Sequence, residues 1–125
     1  MTTSPTLRRR ARRLPLLAVF GIALLFGAAC TPQEAVWMHF ADNGGSGELH
    51  AQAQRVVSCE SGWNPTAVSP TNDHGLFQIN RRWHEASFTR VTGQSWDKVY
   101  DPYWNALYAR HIVNTQGWSP WTCRP

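Results

Sequence analysis

Glu60 directly follows a cysteine and stands 13 positions before Asp73, within the stretch CESGWNPTAVSPTNDHGLFQIN that runs to Asn80. Cleavage of a glycosidic bond is the chemistry two such carboxyl groups could do. One acid protonates the leaving oxygen, while a second carboxylate, or the substrate's own acetamido group or hydroxyl, deals with the oxocarbenium-like carbon. The acid must keep its proton near neutrality, and a carboxyl group turned toward apolar packing does so because burial penalises the anion. Glu60 lies 4 positions after Val56, 7 after Ala53 and 11 after Leu49. A helix reaching this far puts it on the apolar face. On spacing alone a glutamate simply ending a helix in water is the commoner case, and Asn72-Asp73 before Gly75 is also ordinary turn chemistry.

The elements that would hold these groups can be read on either side. Ser46 can cap a helix with Glu48 in its first turn and Leu49, Ala53, Val56 and Val57 on one face. Gly62 and Asn64-Pro65 stop it. Residues 64–75 are rich in turn formers, so a loop or small hairpin is expected there, followed by the buried run Gly75–Ile79. Asp101-Pro102 reads as a cap with proline at the first helical position. That helix should continue to Gly117 with Trp104, Leu107, Tyr108 and Ile112 on a face.

The combined pattern resembles the lysozyme-like peptidoglycan-cleaving superfamily over residues 48–125. Glu60 through Ile79 is similar to the E-S-x-x-N-P…G-L-x-Q-I pattern of the lytic transglycosylase SLT domain, and DPYWNALYA to its downstream helix. DHGLFQINRRW resembles the matching segment of animal c-type lysozymes. The cysteine before Glu60 and the closing TQGWSPWTC resemble the resuscitation-promoting factors of actinobacteria. The resemblance implies a small, mainly helical α+β lysozyme-like domain with one disulfide. It also implies a muramidase acting on the β-1,4 bond between N-acetylmuramic acid and N-acetylglucosamine, as a lytic transglycosylase or a hydrolase.

Residue by residue, Glu60 matches the catalytic acid and Ser61 a loop-supporting serine. Gly75, Leu76, Gln78 and Ile79 match the cleft floor, with Gln78 reaching substrate. Asn80 and Trp83 fall where c-type lysozymes bind the N-acetyl group and a sugar ring. Asp73, counted back from Gly75, takes the position of the second carboxylate in those lysozymes. The segment from Glu60 is four residues shorter here, however, and the transglycosylases have a small residue at that place, so catalytic and turn roles both stand. Trp63 is a further candidate for sugar stacking, Tyr108 for either the cleft or the core, and His74 for the cleft edge. Trp104, Trp118 and Trp121 read as core. The five histidines show no metal-ligand spacing, and no metal or organic cofactor is implied.

Residues 1–13 carry five arginines and no acidic residue, and Leu14–Ala29 is an apolar run. This reads as a signal peptide over residues 1–29. Its ending, GAAC, resembles a bacterial lipobox, although Gly27 stands where a leucine is usual. The resemblance implies acylation of Cys30, the alternative being an ordinary cut that leaves a free thiol. With Cys30 capped, Cys59 and Cys123 remain to pair in an oxidising compartment. Such a bridge closes 64 positions and is worth roughly 4 kcal/mol in the chain-entropy model.

Residues 30–47 are then expected as lipid attachment and flexible tether, and 48–125 as the catalytic domain. All eight acidic residues follow the cut, leaving seven basic against eight acidic and a net charge of −1. The basic balance of the whole chain therefore argues for no nucleic-acid partner. The expected partners are peptidoglycan glycan strands and, through the anchor, a membrane, for a monomer exported to the outer face of the bacterial cytoplasmic membrane or the cell wall. The competing reading is a noncatalytic glycan-binding wall lipoprotein.

Overall fold

The computed structural model describes residues 29–42 and 45–125, so the signal segment expected over 1–29 lies, apart from Ala29, outside the described residues. The first described element is helix α1, Pro32–Phe40. It replaces most of the expected tether. Thr31 and Glu34 form a reciprocal capping box: the Thr31 N–H donates to Glu34 Oε2 at 2.9 Å, and the Glu34 N–H to Thr31 Oγ1 at 3.2 Å. Pro32 occupies the first helical position, where its missing N–H costs nothing. Ala35, Val36 and Phe40 are fully buried. Phe40 stacks on Phe77 and Trp118 with centroids 5.2 and 5.8 Å away. Trp37, on the same helix, stays 61% exposed.

Helix α2, Glu48–Ser61, buries Ala53, Val56 and Val57 as the periodicity requires. Gly47 is its N-cap residue, while Ser46 Oγ accepts the Glu48 N–H at 3.3 Å. A two-stranded antiparallel hairpin follows, β1 Asp73–His74 and β2 Ile79–Asn80, with Asp73 opposite Asn80. Helix α3, Arg81–Thr92, and a 3-10 helix, Trp96–Tyr100, come next. Apolar periodicity announces neither. Helix α4, Pro102–Gln116, is capped by Asp101, whose carboxylate accepts the Tyr103 N–H at 2.9 Å. It packs against α1, α3 and the 3-10 helix. Among the described residues no helix is long and apolar enough to cross a membrane.

The buried face of α4 is Asn105, Ala106, Tyr108, Ala109 and Ile112, rotated from the expected one so that Trp104 and Leu107 are only half-buried. The reason is Asn105, 0% exposed. Its Oδ1 accepts the Phe77 N–H at 3.0 Å, and its Nδ2 donates to Val99 O at 2.8 Å and to His74 O at 3.3 Å. Gly75 passes so close that a Cβ there would lie 2.3 Å from Asn105 Nδ2. The hairpin loop is thus pinned to α4 through one amide.

Asn105→Leu strands three buried backbone groups at about 1–3 kcal/mol each, a loss comparable to the net stability of a domain this size. Urea unfolding should show the variant largely unfolded without denaturant. A midpoint near wild type would show the amide to be dispensable.

Candidate active site

Glu60 sits in the last turn of α2, which ends because Gly62 adopts the left-handed conformation at φ 58°. The residue is half-buried, and Oε1 accepts the Cys123 N–H at 3.0 Å. The adjacent Cys59 is disulfide-bonded to the same Cys123, with Cα atoms 5.9 Å apart. One covalent and one polar link therefore fix the C-terminal segment against the end of α2. Ser61 Oγ donates to Val57 O at 3.2 Å, which ties it to its own helix.

Asp73 is held by three donors. Ser69 Oγ and Thr71 Oγ1 donate to Oδ2, the former at 2.6 Å, and Asn80 Nδ2 donates to Oδ1 at 2.8 Å. Partial burial works to raise its pKa, but these hydrogen bonds, with His74 nearby, outweigh it and hold the carboxyl below its ordinary 3.8. Asp73 is an anion at neutral pH. Asn80 Nδ2 also donates to Thr71 O at 2.9 Å, while Asn80 Oδ1 is buried without a partner among the described residues. The Nδ2 half of the amide expected to read an N-acetyl group is committed to the hairpin.

Gln78 has a positive φ of 48°. Its Nε2 donates to Ala67 O at 3.1 Å and Gly75 O at 2.9 Å. Both partners are carbonyls, so Oε1 points away from them. Asp73, Gln78, Ile79 and Asn80 share a cavity of about 70 Å³ with His84, Ile112, Pro120 and Trp121. Glu60 does not line it. The two are joined through the C-terminal segment, where Trp121 Nε1 donates to Phe77 O at 2.7 Å two residues before Cys123 meets Glu60.

The remaining candidates are dispersed. Tyr108 is 1% exposed and packs edge-on against Phe88, so it belongs to the core; only its hydroxyl reaches outward, to His84 Nδ1 at 2.9 Å. Trp63 lines a separate open groove of about 610 Å³ along the outer face of α2, with Ala51, Gln54, Arg55, Ser58 and Cys59. Trp83 stands 71% exposed at the start of α3, with the Arg82 guanidinium 4.9 Å from its ring centre. No shared wall presents both indoles. Among the described residues no three His, Cys, Asp or Glu side chains converge as metal ligands.

His74 is buried at 6% exposure rather than standing at the cleft edge. Asn72 Oδ1, 2.7 Å from Nε2, can only accept, so Nε2 carries the hydrogen, and Nδ1 accepts the Tyr100 hydroxyl at 2.7 Å. Sequence reasoning missed His84, because nothing in the apolar pattern marks α3. It also missed the bracing role of Asn105, although DPYWNALYA contains it.

Burial, reinforced by Arg81 and opposed by Asp73, lowers the His74 pKa below 6.5. The folded state thus binds this proton more weakly than the unfolded chain. The stability concerned is complete above about 6.5 and is lost as pH falls from there through the folded value. Asp73 adds a second loss in the same direction below 3.8. The melting temperature should therefore decline in two stages on acidification; His39 and His84, whose pKa values burial lowers likewise, share the upper one, and His74→Gln should reduce it. A flat wild-type profile between pH 7 and 5 would refute this.

Replacing Cys59 and Cys123 by serine removes a bridge spanning 64 positions. The expected cost is roughly 4 kcal/mol in urea titration. A loss below about 1 kcal/mol, the size of one ordinary hydrogen bond, would mean that the remaining contacts hold the C-terminal segment alone.

A protein family described as "Lysozyme like domain" matches residues 38–123. The chain has no match among curated proteins or among solved structures. The matched span covers most of the chain and contains Glu60, the hairpin, α4 and both bridging cysteines, and on that ground the chain belongs to the lysozyme-like domain family.

Proposed function

We propose that the protein cleaves the β-1,4 bond between N-acetylmuramic acid and N-acetylglucosamine in peptidoglycan, with Glu60 as general acid. Peptidoglycan-directed glycosidase chemistry is what the lysozyme-like family suggests. The observation that carries the finer reading is the seat of Glu60. The half-buried residue lies at the end of a buried helix face, with one carboxyl oxygen oriented by the Cys123 N–H. Glu60 gives its proton to the glycosidic oxygen as the C1–O bond breaks. The muramic C6 hydroxyl oxygen then bonds to C1 and returns its proton to Glu60, leaving a 1,6-anhydro sugar and a restored acid.

Asp73 supports this one-acid course. Both its oxygens are engaged by three donors, so it serves best as a fixed anion that braces the hairpin. A second reading draws on the same residue. Asp73 lines the cavity beside Gln78, where its charge could stabilise the oxocarbenium-like carbon while water attacks, giving hydrolysis.

The segment before the domain supports export, with residues 1–29 as signal peptide and Cys30 as the acylated residue. Cys30 Sγ lies 4.0 Å from Met38 Sδ on α1. A lipid at Cys30 would therefore place a monomeric domain directly on the membrane surface, with no long spacer between.

Mass spectrometry of the soluble products from purified sacculi tests the reading. Wild type should release anhydro-muramic products, Glu60→Gln should lose about 10²–10⁴-fold in rate, and Asp73→Asn should retain most activity. Reducing-end products lost in both variants would establish hydrolysis by two carboxylates. Lysis by Glu60→Gln equal to wild type would favour the noncatalytic glycan-binding reading.

A further inference from the structure

Trp63 holds a positive φ of 66° directly after Gly62, itself left-handed at 58°. Glycine adopts that conformation freely, whereas a bulky residue is held there at a cost of about 1–3 kcal/mol. Such strain persists only where the surroundings fix it, and it collects at ligand clamps and active sites. Here the turn brings Trp63 alongside the outer face of α2, where it lines the open groove of about 610 Å³ with Ala51, Gln54, Arg55, Ser58 and Cys59. Trp118 and Trp121 donate their indole N–H groups to Gln52 Oε1 and Phe77 O. That of Trp63 takes no partner among the described residues.

The helical wall of the groove is a single stripe, with Gln54, Arg55, Ser58 and Cys59 at 3, 4, 7 and 8 positions after Ala51. Its length from Ala51 to Cys59 is about 12 Å at the rise of a helix, which matches about three or four residues of extended peptide. The stripe offers an amide at Gln54, a hydroxyl at Ser58 and one charge, the Arg55 guanidinium. Arg55 Nη2 donates to Glu48 Oε1 at 2.9 Å, and both side chains are more than half exposed. That bond uses one of several N–H donors, and an exposed ion pair of this kind contributes little. The guanidinium remains able to take a further carboxylate.

The groove also borders the proposed acid. Cys59 ends the stripe, and Glu60 follows it at the C-terminal end of α2. We propose that this groove binds the peptide stem carried by the muramic residues of peptidoglycan. The stem's terminal carboxylate pairs with Arg55, Gln54 and Ser58 hydrogen-bond its backbone, and the Trp63 indole covers an apolar side chain. A run of N-acetylated sugars with amidated lactyl groups carries no anion to meet Arg55, and a stem peptide does. The assignment rests on the peptidoglycan substrate proposed above and concerns a surface apart from the cavity of Asp73 and Gln78.

Nitrogen-15 spectra of the protein test it. Titration with a synthetic stem tetrapeptide bearing a free C-terminal carboxylate should move the Trp63 indole signal, which Trp63→Phe identifies by its loss. N-acetylglucosamine oligomers should leave that signal still. Arg55→Gln should weaken peptide binding roughly tenfold or more, as expected for a hydrogen bond between charged groups. Amidating the terminal carboxylate should weaken binding as much for wild type and no further for the variant. Glu48→Gln breaks the same surface ion pair but keeps the guanidinium, so it should bind as wild type does or more tightly.

A Trp63 signal that answers to the sugar oligomers, or to neither ligand, overturns the assignment, as does an Arg55→Gln variant that binds like wild type. Equal weakening by Glu48→Gln and Arg55→Gln also overturns it, because the loss would then come from the helix and not from the groove. The titration needs no turnover. If the protein releases nothing from sacculi, the cleavage reading fails and the tetrapeptide alone decides the groove.

Discussion

The amide of Asn105 is the contact on which the placement of the candidate site depends. It satisfies the Phe77 N–H and the carbonyls of His74 and Val99 while itself fully buried. The hairpin loop and the 3-10 helix are thereby locked to α4. From Phe77 the linkage continues, since its carbonyl accepts Trp121 Nε1, and Cys123, two residues on, binds Glu60 both through its N–H and through the Cys59 disulfide. Asn105 and Glu60 are thus ends of one path through the loop and the C-terminal segment. Each step is a buried or half-buried polar contact, costly to break because the freed group finds no water.

Such a path suits a small domain. The core has few large residues to spare, and α1 enlarges it by burying Ala35, Val36 and Phe40 beside Phe77 and Trp118. Without α1 the face of α4 it covers would be open. The chain beginning at Thr31 is therefore part of the folded unit, and its energetic role is core completion rather than spacing. A covalent staple adds to a core of this size by restricting the unfolded chain. The bridge from Cys59 to Cys123 does so at the point where Glu60 is held.

What the sequence made legible follows the same physics. The α2 face, its glycine stop and the Asp101-Pro102 start of α4 depend on local periodicity and capping, and they appear where expected. Glu60 falls at the end of that face for the same reason. The burial of Asn105 could not be read from apolar spacing, because the buried residue is polar, and α4 is turned accordingly. The Thr31–Glu34 capping box is written in TPQE, yet the lipobox-like ending before it points to a tether. Asn80 and Tyr108 had site roles assigned by position in a pattern. The structure engages Asn80 Nδ2 with Asp73 and Thr71 and the Tyr108 hydroxyl with His84. Side-chain commitments of this kind depend on three-dimensional neighbours, and spacing does not contain them.

The commitment of Asp73 bears most directly on chemistry. To attack an anomeric carbon, a carboxylate must turn a free lone pair toward it. Here that would mean giving up at least one donor, at about 1.5–3 kcal/mol for a hydrogen bond to a charged group. A fixed negative charge requires no such movement, because the donors orient the carboxylate without neutralising it. The hairpin therefore suits Asp73 to electrostatic work or bracing rather than covalent attack. In the proposed cleavage the nucleophile then comes from the substrate or from water, and the proton traffic falls to Glu60. That division gives the polar path from Asn105 its purpose, since an acid that acts alone must be held in position by its surroundings rather than by a partner across the cleft.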